Sequence, residues 1–205
     1  MKTPEPRPEQ SPDEIKQDVV SLDKDGDAVI EIGDPKGAKT HKFLVSTSVL
    51  RLASPVFSKM FGPGFAEGER LRDDGFVHVK LEDDDVNAMR TILEILHHCY
   101  AVDIDTRNPD SEALAQIAFC CDKYDCRAAL RPWTYYWFRD LEHVQYSPEK
   151  LRFLLPAAYC FDEPGHFKLI SAMVIKDFPL EWYQYATFDR LSEVVSGISL
   201  SMLAV

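Results

Sequence analysis

Apolar and polar positions change period several times along this chain, and each change marks an element. The run Ala28-Val29-Ile30-Glu31-Ile32 follows the turn-rich Asp23-Lys24-Asp25-Gly26-Asp27 and predicts a strand. Gly33-Asp34-Pro35-Lys36-Gly37 is dense in chain breakers and predicts a hairpin loop, with a returning strand over residues 39–45. Phe43 and Val45 alternate there with Leu44, the pattern of a half-buried strand. Two short helices are predicted next. Ser54 suits the cap of the second, and Pro55 its first position, where proline's missing N–H is no loss. Val56, Phe57, Met60 and Phe61 then share one face.

Gly62-Pro63-Gly64 breaks the chain, and the polar, glycine-bearing residues 62–75 predict an exposed loop. Val77, Val79 and Leu81 alternate with His78 and Lys80, which predicts a third strand over residues 76–81. Glu82, Asp83, Asp84 and Asp85 stand where a helix start favours negative charge. Val86, Met89, Leu93, Leu96 and Tyr100 recur at helical spacing and predict a long amphipathic helix. Asn108-Pro109-Asp110-Ser111 punctuates and caps the next helix, with Leu114, Ile117, Ala118, Cys121 and Tyr124 as its buried stripe. Pro132 predicts a boundary, beyond which Trp133, Trp137 and Leu141 line another helix. Ser147-Pro148-Glu149 opens a helical hairpin that turns at Asp162-Glu163-Pro164-Gly165, and a further short helix is expected near Leu191 to Val195. At the other end, residues 1–17 are polar, carry Pro4, Pro6, Pro8 and Pro12, and read as a disordered tail without the apolar stretch of a secretory signal.

Composition narrows the classes. With 45% hydrophobic residues, including 12 Phe, 8 Tyr and 3 Trp, the 205-residue chain has ample material for a core. No apolar run approaches the ~18 residues of a membrane span. The net charge of −11 and a pI near 5.0 lack the basic footprint by which nucleic-acid binders displace counterions, so no direct DNA or RNA contact is expected. Five cysteines, an odd count without an export signal, point to reduced thiols and a cytoplasmic or nuclear setting.

The segment from Phe43 to Phe61, a strand running into two short helices with Ser54-Pro55 between them, resembles the core of the BTB/POZ family in the form common in fungal BTB proteins. Gly26-Asp27 is similar to the family's entry to its first strand. Val77-His78-Val79-Lys80-Leu81 with the acids after it is similar to the family's third strand and helix start. Cys121-Asp122-Lys123-Tyr124-Asp125-Cys126, followed by Leu130-Arg131-Pro132-Trp133, resembles the ending of the fungal domains. The resemblance covers about Asp25 to Trp137. It implies an α+β fold, with a small, mainly antiparallel sheet flanked by a cluster of helices and a C-terminal helical extension. The expected division is a tail over 1–17, a BTB/POZ domain over 18–140 and the helical extension over 141–205. Two departures stand out. Ser46 lies where many animal members carry a histidine at the end of the second strand, so the family's pocket polar contact involving Asp27 is not carried over by the resemblance. Animal zinc-finger members exchange a long apolar N-terminal helix between dimer partners, whereas residues 13–22 here offer Ile15, Val19, Val20 and Leu22, enough for one or two helical turns.

The family is one of protein-binding modules, so the resemblance implies protein partners, a homodimer among them, and neither an enzyme nor a cofactor. Several BTB adaptors of cullin-RING ubiquitin ligases carry an apolar–x–acidic motif in the loop before the third strand. Phe65-Ala66-Glu67 matches it by type and place, and the helix start at Asp84 and Asp85 would adjoin it. The opposing reading is that Phe65 tucks onto its own domain and Glu67 is one more solvated acid; both stand open at this level. An oligomerising or transcription-associated scaffold is the alternative function. The hairpin after Ser147 matches in position the helices that extend the cullin contact in such adaptors, but packing over the domain is its first reading, since a hairpin must bury its apolar stripe.

Other chemistry is poorly supported. Asp23, Asp25 and Asp27 have glycine at the fourth place and no glutamate at the twelfth, so they read as a turn rather than a calcium loop. His97, His98 and the cysteines show no paired zinc-ligand spacing. No motif supports a cysteine nucleophile, and no G-x-x-x-x-G-K, H-E-x-x-H, G-x-S-x-G or dinucleotide fingerprint occurs. Trp133, Tyr135, Tyr136, Trp137 and Phe138 are dense enough for an aromatic binding surface, with core packing the first reading of the cluster.

Overall fold

Ala28, Val29, Ile30 and Ile32 are all buried although they point alternately to both sides of their strand, which is how a central strand of a covered sheet reads. The computed structural model describes residues 19–33, 40–99, 108–139 and 147–177. In it, β1 (Val19–Ser21), β2 (Ala28–Gly33), β3 (Thr40–Val45) and β4 (Val77–Leu81) form one sheet in the order β1-β3-β2-β4. β2 and β3 make the expected antiparallel hairpin, with Ile30 opposite Phe43. The other two pairings are parallel: β1 beside β3, and β4 beside β2 with Ile30 opposite Val79. The α+β class holds, but the sheet is mixed, and the expected mainly antiparallel character is confined to the hairpin. Alternation alone could not reveal this, because a strand's inward-facing positions are the same whichever way its neighbour runs.

The link from β3 to β4 passes the central strand β2 and carries α1 (Thr47–Ala53), α2 (Pro55–Met60) and α3 (Ala66–Asp74). α4 (Val86–Leu96), α5 (Ser111–Lys123), α6 (Arg127–Phe138), α7 (Pro148–Cys160) and α8 (Pro164–Asp177) follow. Met89, Ile92 and Leu93 of α4 join Ile30, Phe43 and Val79 of the sheet in a core that also takes in Phe57, Leu114, Leu151 and Ile170. The α7–α8 hairpin therefore shares the core, α7 packing chiefly along α5.

Local chemistry explains the helix starts. Ser54 Oγ accepts the Phe57 N–H at 3.0 Å, with Pro55 at the first helical position. Asp85 and Asp110 cap α4 and α5 by accepting the N–H groups of Ala88 and Ala113, each at 2.8 Å. Ser147 caps α7 without a side-chain bond to a helix N–H; its hydroxyl bonds Glu149, holding that carboxyl below the usual range. For α1 the cap comes from a distance. Asp27, just before β2, accepts both the Thr47 N–H at 2.7 Å and the Thr47 hydroxyl at 2.6 Å. Asp27 thus has a polar partner one residue beyond Ser46.

Three other expectations change. Residues 19–21 are a strand rather than helical turns. Residues 66–74 are helix α3 rather than loop: Ala, Glu, Leu and Arg are good helix formers, Glu67 and Glu69 favour its start, and Gly75 closes it at φ 71°. Leu71 is its only large apolar residue, so α3 has no amphipathic stripe to reveal it. Pro132 lies inside α6 rather than at a boundary. The Ala128 carbonyl loses its helical partner there, and Ala128 is exposed, so that loss is met at the surface. The expected positions Asp34 to Gly37, Tyr100, Leu141, the tail over 1–17 and the helix near 191–195 lie outside the described residues.

Candidate functional site

The chain leaves the core at Phe61, which is buried with its ring 6.1 Å from that of Phe57. Gly62, Pro63 and Gly64 then turn it outward, Gly64 at φ 93°. Phe65 follows in extended conformation at the N-cap of α3, where its carbonyl accepts the Glu69 N–H at 3.0 Å. Its side chain is 51% exposed. Glu67 sits half-buried in the first turn, where a carboxylate complements the helix dipole. The motif is therefore an apolar ring and an acid presented at the start of a helix.

Gly68 holds that helix in place. A Cβ at residue 68 would lie 1.9 Å from the Gly62 carbonyl oxygen, so the helix and the preceding turn meet at a distance only glycine allows. Sequence reasoning passed over Gly68; the signal was a glycine among strong helix formers, which commonly marks a close approach.

The second half of the expected surface is different. Asp84 is 0% exposed: its carboxylate takes the Lys123 ammonium at 2.7 Å and the Tyr124 hydroxyl at 2.5 Å. These contacts turn Asp84 into the junction of the β4–α4 turn with α5, which removes it from the candidate surface. Asp85 is half-buried and its carboxylate is engaged at the α4 cap.

A separate groove of about 670 Å³ opens between the β1–β2 turn, α1, the end of α4 and the start of α6. Leu22, Val49, Leu52, Ile95 and Ala129 give it apolar walls, and Asp23, His97 and His98 lie on its lining. Leu52 is 91% exposed, an unusual position for a leucine. His97 staples the groove's two sides: Nε2 accepts the Ser46 N–H at 3.0 Å, and Nδ1 donates to the Leu93 carbonyl at 2.8 Å. That pair of bonds requires a neutral ring with the proton on Nδ1. Burial pushes the His97 pKa below its ordinary value, against the opposing pull of the Leu93 carbonyl and the Asp23 charge.

The aromatic cluster of α6 divides by face. Trp137 and Phe138 are buried against Phe161 at the α7 end, Trp133 and Tyr136 are half-buried, and Tyr135 points out. Among the cysteines, Cys99 is exposed, with its thiol 3.2 Å from the Leu22 carbonyl. Cys120, Cys121, Cys126 and Cys160 are buried. Burial pushes the Cys120 and Cys160 thiols up to about 12, and a bond with Cys126 together with burial raises Cys121. Their burial fits a packing role. Among the described residues no cluster of three or more His, Cys, Asp or Glu is placed to hold a metal ion, and no helix is long and apolar enough to cross a membrane.

The arrangement thus offers exposed apolar and aromatic groups on several faces. Such surfaces suit contact with other proteins. No match is found among curated proteins. Residues 21–136 match the family model of the BTB/POZ domain, a span that takes in β2, β3, β4 and α1 to α5. On that match over more than half its length, the chain belongs to the BTB/POZ domain family, whose members are protein-interaction modules.

Proposed function

We propose that this protein is an adaptor of a cullin-RING ubiquitin ligase, working in the cytoplasm or nucleus and without catalysis of its own. The exposure of Phe65 carries the reading. A ring half in water at the start of an anchored helix gains about 1 kcal/mol when a partner's groove covers it, roughly half the value for burying a whole side chain. Glu67, two residues on, supplies a carboxylate for a polar group at the rim of that groove. Asp85 remains a candidate at the edge of the same surface, and Asp84 acts behind it by fixing the β4–α4 turn. In this reading α7 and α8 extend the domain as a packing unit, α7 lying along α5.

The test is a pull-down of the purified protein with the N-terminal domain of the cullin, comparing wild type with Phe65→Ala/Glu67→Lys. Light scattering after size exclusion checks that both have the same mass. Saturable binding that the folded double mutant loses supports the adaptor. A well-folded wild type that fails to bind ends the direct cullin reading.

A second reading, an oligomerising scaffold without a ligase role, draws on the groove around Leu52. A leucine 91% exposed above apolar walls is suited to cover by a second copy. Leu52→Glu would then convert a dimer to a monomer by mass, and a monomeric wild type would dismiss it.

A further inference from the structure

Two serine–proline pairs lie among the described residues, and the fold treats them in opposite ways. Ser54 is 1% exposed and its hydroxyl is fully engaged, donating to the Tyr124 carbonyl and accepting the Phe57 N–H at 3.0 Å. Ser147 is exposed. It stands at the cap of α7, yet its hydroxyl accepts no helix N–H and bonds instead to the carboxylate of exposed Glu149. Its backbone is extended, at φ −74° and ψ 157°. Pro148 follows directly, and Lys150, three residues after the serine, is exposed. Ser54 has Phe57 at the corresponding place.

We propose that Ser147 is a phosphorylation site for a proline-directed protein kinase that also takes a lysine three residues beyond the serine. The step transfers the γ-phosphoryl group of ATP. The bond from Ser147 Oγ to that phosphorus forms, the bond from the phosphorus to the β–γ bridging oxygen breaks, and ADP leaves. The hydroxyl proton passes to the aspartate of the kinase's catalytic loop.

Access, backbone shape and charge select this modification. The Ser147 hydroxyl is held only by an exposed acid, so a kinase can take it without opening the core. Pro148 has no N–H, so a pocket without an acceptor there takes proline where another residue would leave a buried donor unpaired. Lys150 supplies a cation for an acidic group of the kinase. In α7 it lies one turn beyond Ser147, and an extended fit requires that first turn to open. Opening breaks the bonds from the Lys150 and Leu151 N–H groups to the Ser147 carbonyl, at 3.0 and 3.1 Å, which water replaces. Glu149 and Lys150 are exposed, and Leu151 is the first described side chain of α7 in the core. Helix ends with so little buried surface open readily.

The modification has a local consequence. A phosphate carries about −1.5 to −2 charges and accepts hydrogen bonds, so Glu149 loses its donor and gains a like-charged neighbour. The Glu149 carboxyl, held below its ordinary range by the Ser147 hydroxyl, should therefore move up. The site does not depend on whether the protein binds a cullin.

The experiment incubates the full chain with a purified cyclin-dependent kinase and ATP, and locates the phosphate by mass spectrometry of tryptic peptides. A synthetic peptide of residues 141–154 is the unfolded reference. The expected result is phosphate on Ser147 of the folded chain, none on Ser54, and a severalfold slower reaction at Ser147 in Lys150→Ala. Ser147→Ala, which removes no bond to a helix N–H, should lose the phosphate from that peptide while keeping the circular dichroism of the wild type. An NMR titration should place the Glu149 carboxyl higher in the phosphorylated chain than in the unmodified one. A folded chain that stays unmodified while the peptide reacts overturns the proposal, because α7 then shields the serine. Failure of both chain and peptide overturns it as well. An unchanged rate in Lys150→Ala overturns the role of the lysine, and an unmoved Glu149 overturns the coupling.

Discussion

The ring of Tyr124 lies flat against that of Phe57, with 4.6 Å between centroids and 8° between planes. Phe57 comes from α2 and Tyr124 ends α5, so the pair joins the crossover helices to the helical layer. Polar bonds frame the stack. Ser54 Oγ donates to the Tyr124 carbonyl, and the Tyr124 hydroxyl donates to the buried Asp84 at 2.5 Å. One residue thereby ties together α2, the β4–α4 turn and α5.

Replacing Tyr124 separates these roles. Tyr124→Phe keeps the stack but removes a donor from a fully buried carboxylate, and is expected to cost about 1–3 kcal/mol. Tyr124→Ala also opens a cavity and is expected to cost about 3–5 kcal/mol. Urea unfolding measures both, and equal losses in the two variants would contradict the division.

His97 makes stability depend on pH. Its folded-state pKa lies below the unfolded value of 6.5, because burial disfavours the charged ring. The stabilisation from this group is therefore complete above pH 6.5 and is lost as the pH falls through the lower folded value. Protonation would also set an Nε2–H against the Ser46 N–H. The urea midpoint of the wild type should thus exceed that of His97→Gln at neutral pH, and the gap should narrow on acidification. A gap that does not change with pH would assign His97 a packing role only.

Gly68 should be intolerant of even a methyl group. Gly68→Ala must move α3 away from the Gly62 carbonyl, at about 1–3 kcal/mol, the range for overpacked sites. Partner binding through Phe65 should fall with it although Phe65 itself is unchanged. Gly64→Ala, with open space around its Cβ, serves as the comparison: it meets only the strain of φ 93°, about 1–2 kcal/mol. Thermal unfolding and the pull-down read both effects, and full binding by Gly68→Ala would show that α3 can shift without consequence.

Thiol reactivity should single out one cysteine. Cys99 is exposed, whereas the other four are buried, and the acidities of Cys120, Cys121 and Cys160 are suppressed. Ellman's reagent should titrate a single fast thiol in the native protein and all five after denaturation. Cys99→Ser should abolish the fast phase. A fast phase that survives the substitution would mean that a buried thiol is transiently exposed.

What the sequence by itself determined is local. Ser54-Pro55, Asp85 and Asp110 announce helix starts because a cap needs only a side chain and an N–H two or three residues away. The stripes of α4 and α5 and the alternation of β4 are legible because periodicity reports which side of an element is dry. The Phe65–Glu67 motif is likewise contiguous and readable. Tertiary structure decided whatever depends on residues far apart in the chain. The parallel pairings of β1 and β4 leave no mark on their own alternation. α3 was hidden because helix-forming residues stabilise it without an apolar stripe, and Pro132 sits inside α6 because the carbonyl it frees is at the surface. Asp84 read as a surface acid until Lys123 and Tyr124, about forty positions later, proved to surround it. Asp27 gained its partner, and the groove beside Leu52 its walls, in the same way. A side chain's neighbours along the chain define its backbone geometry, but its dielectric and its partners come from whichever elements the fold brings against it.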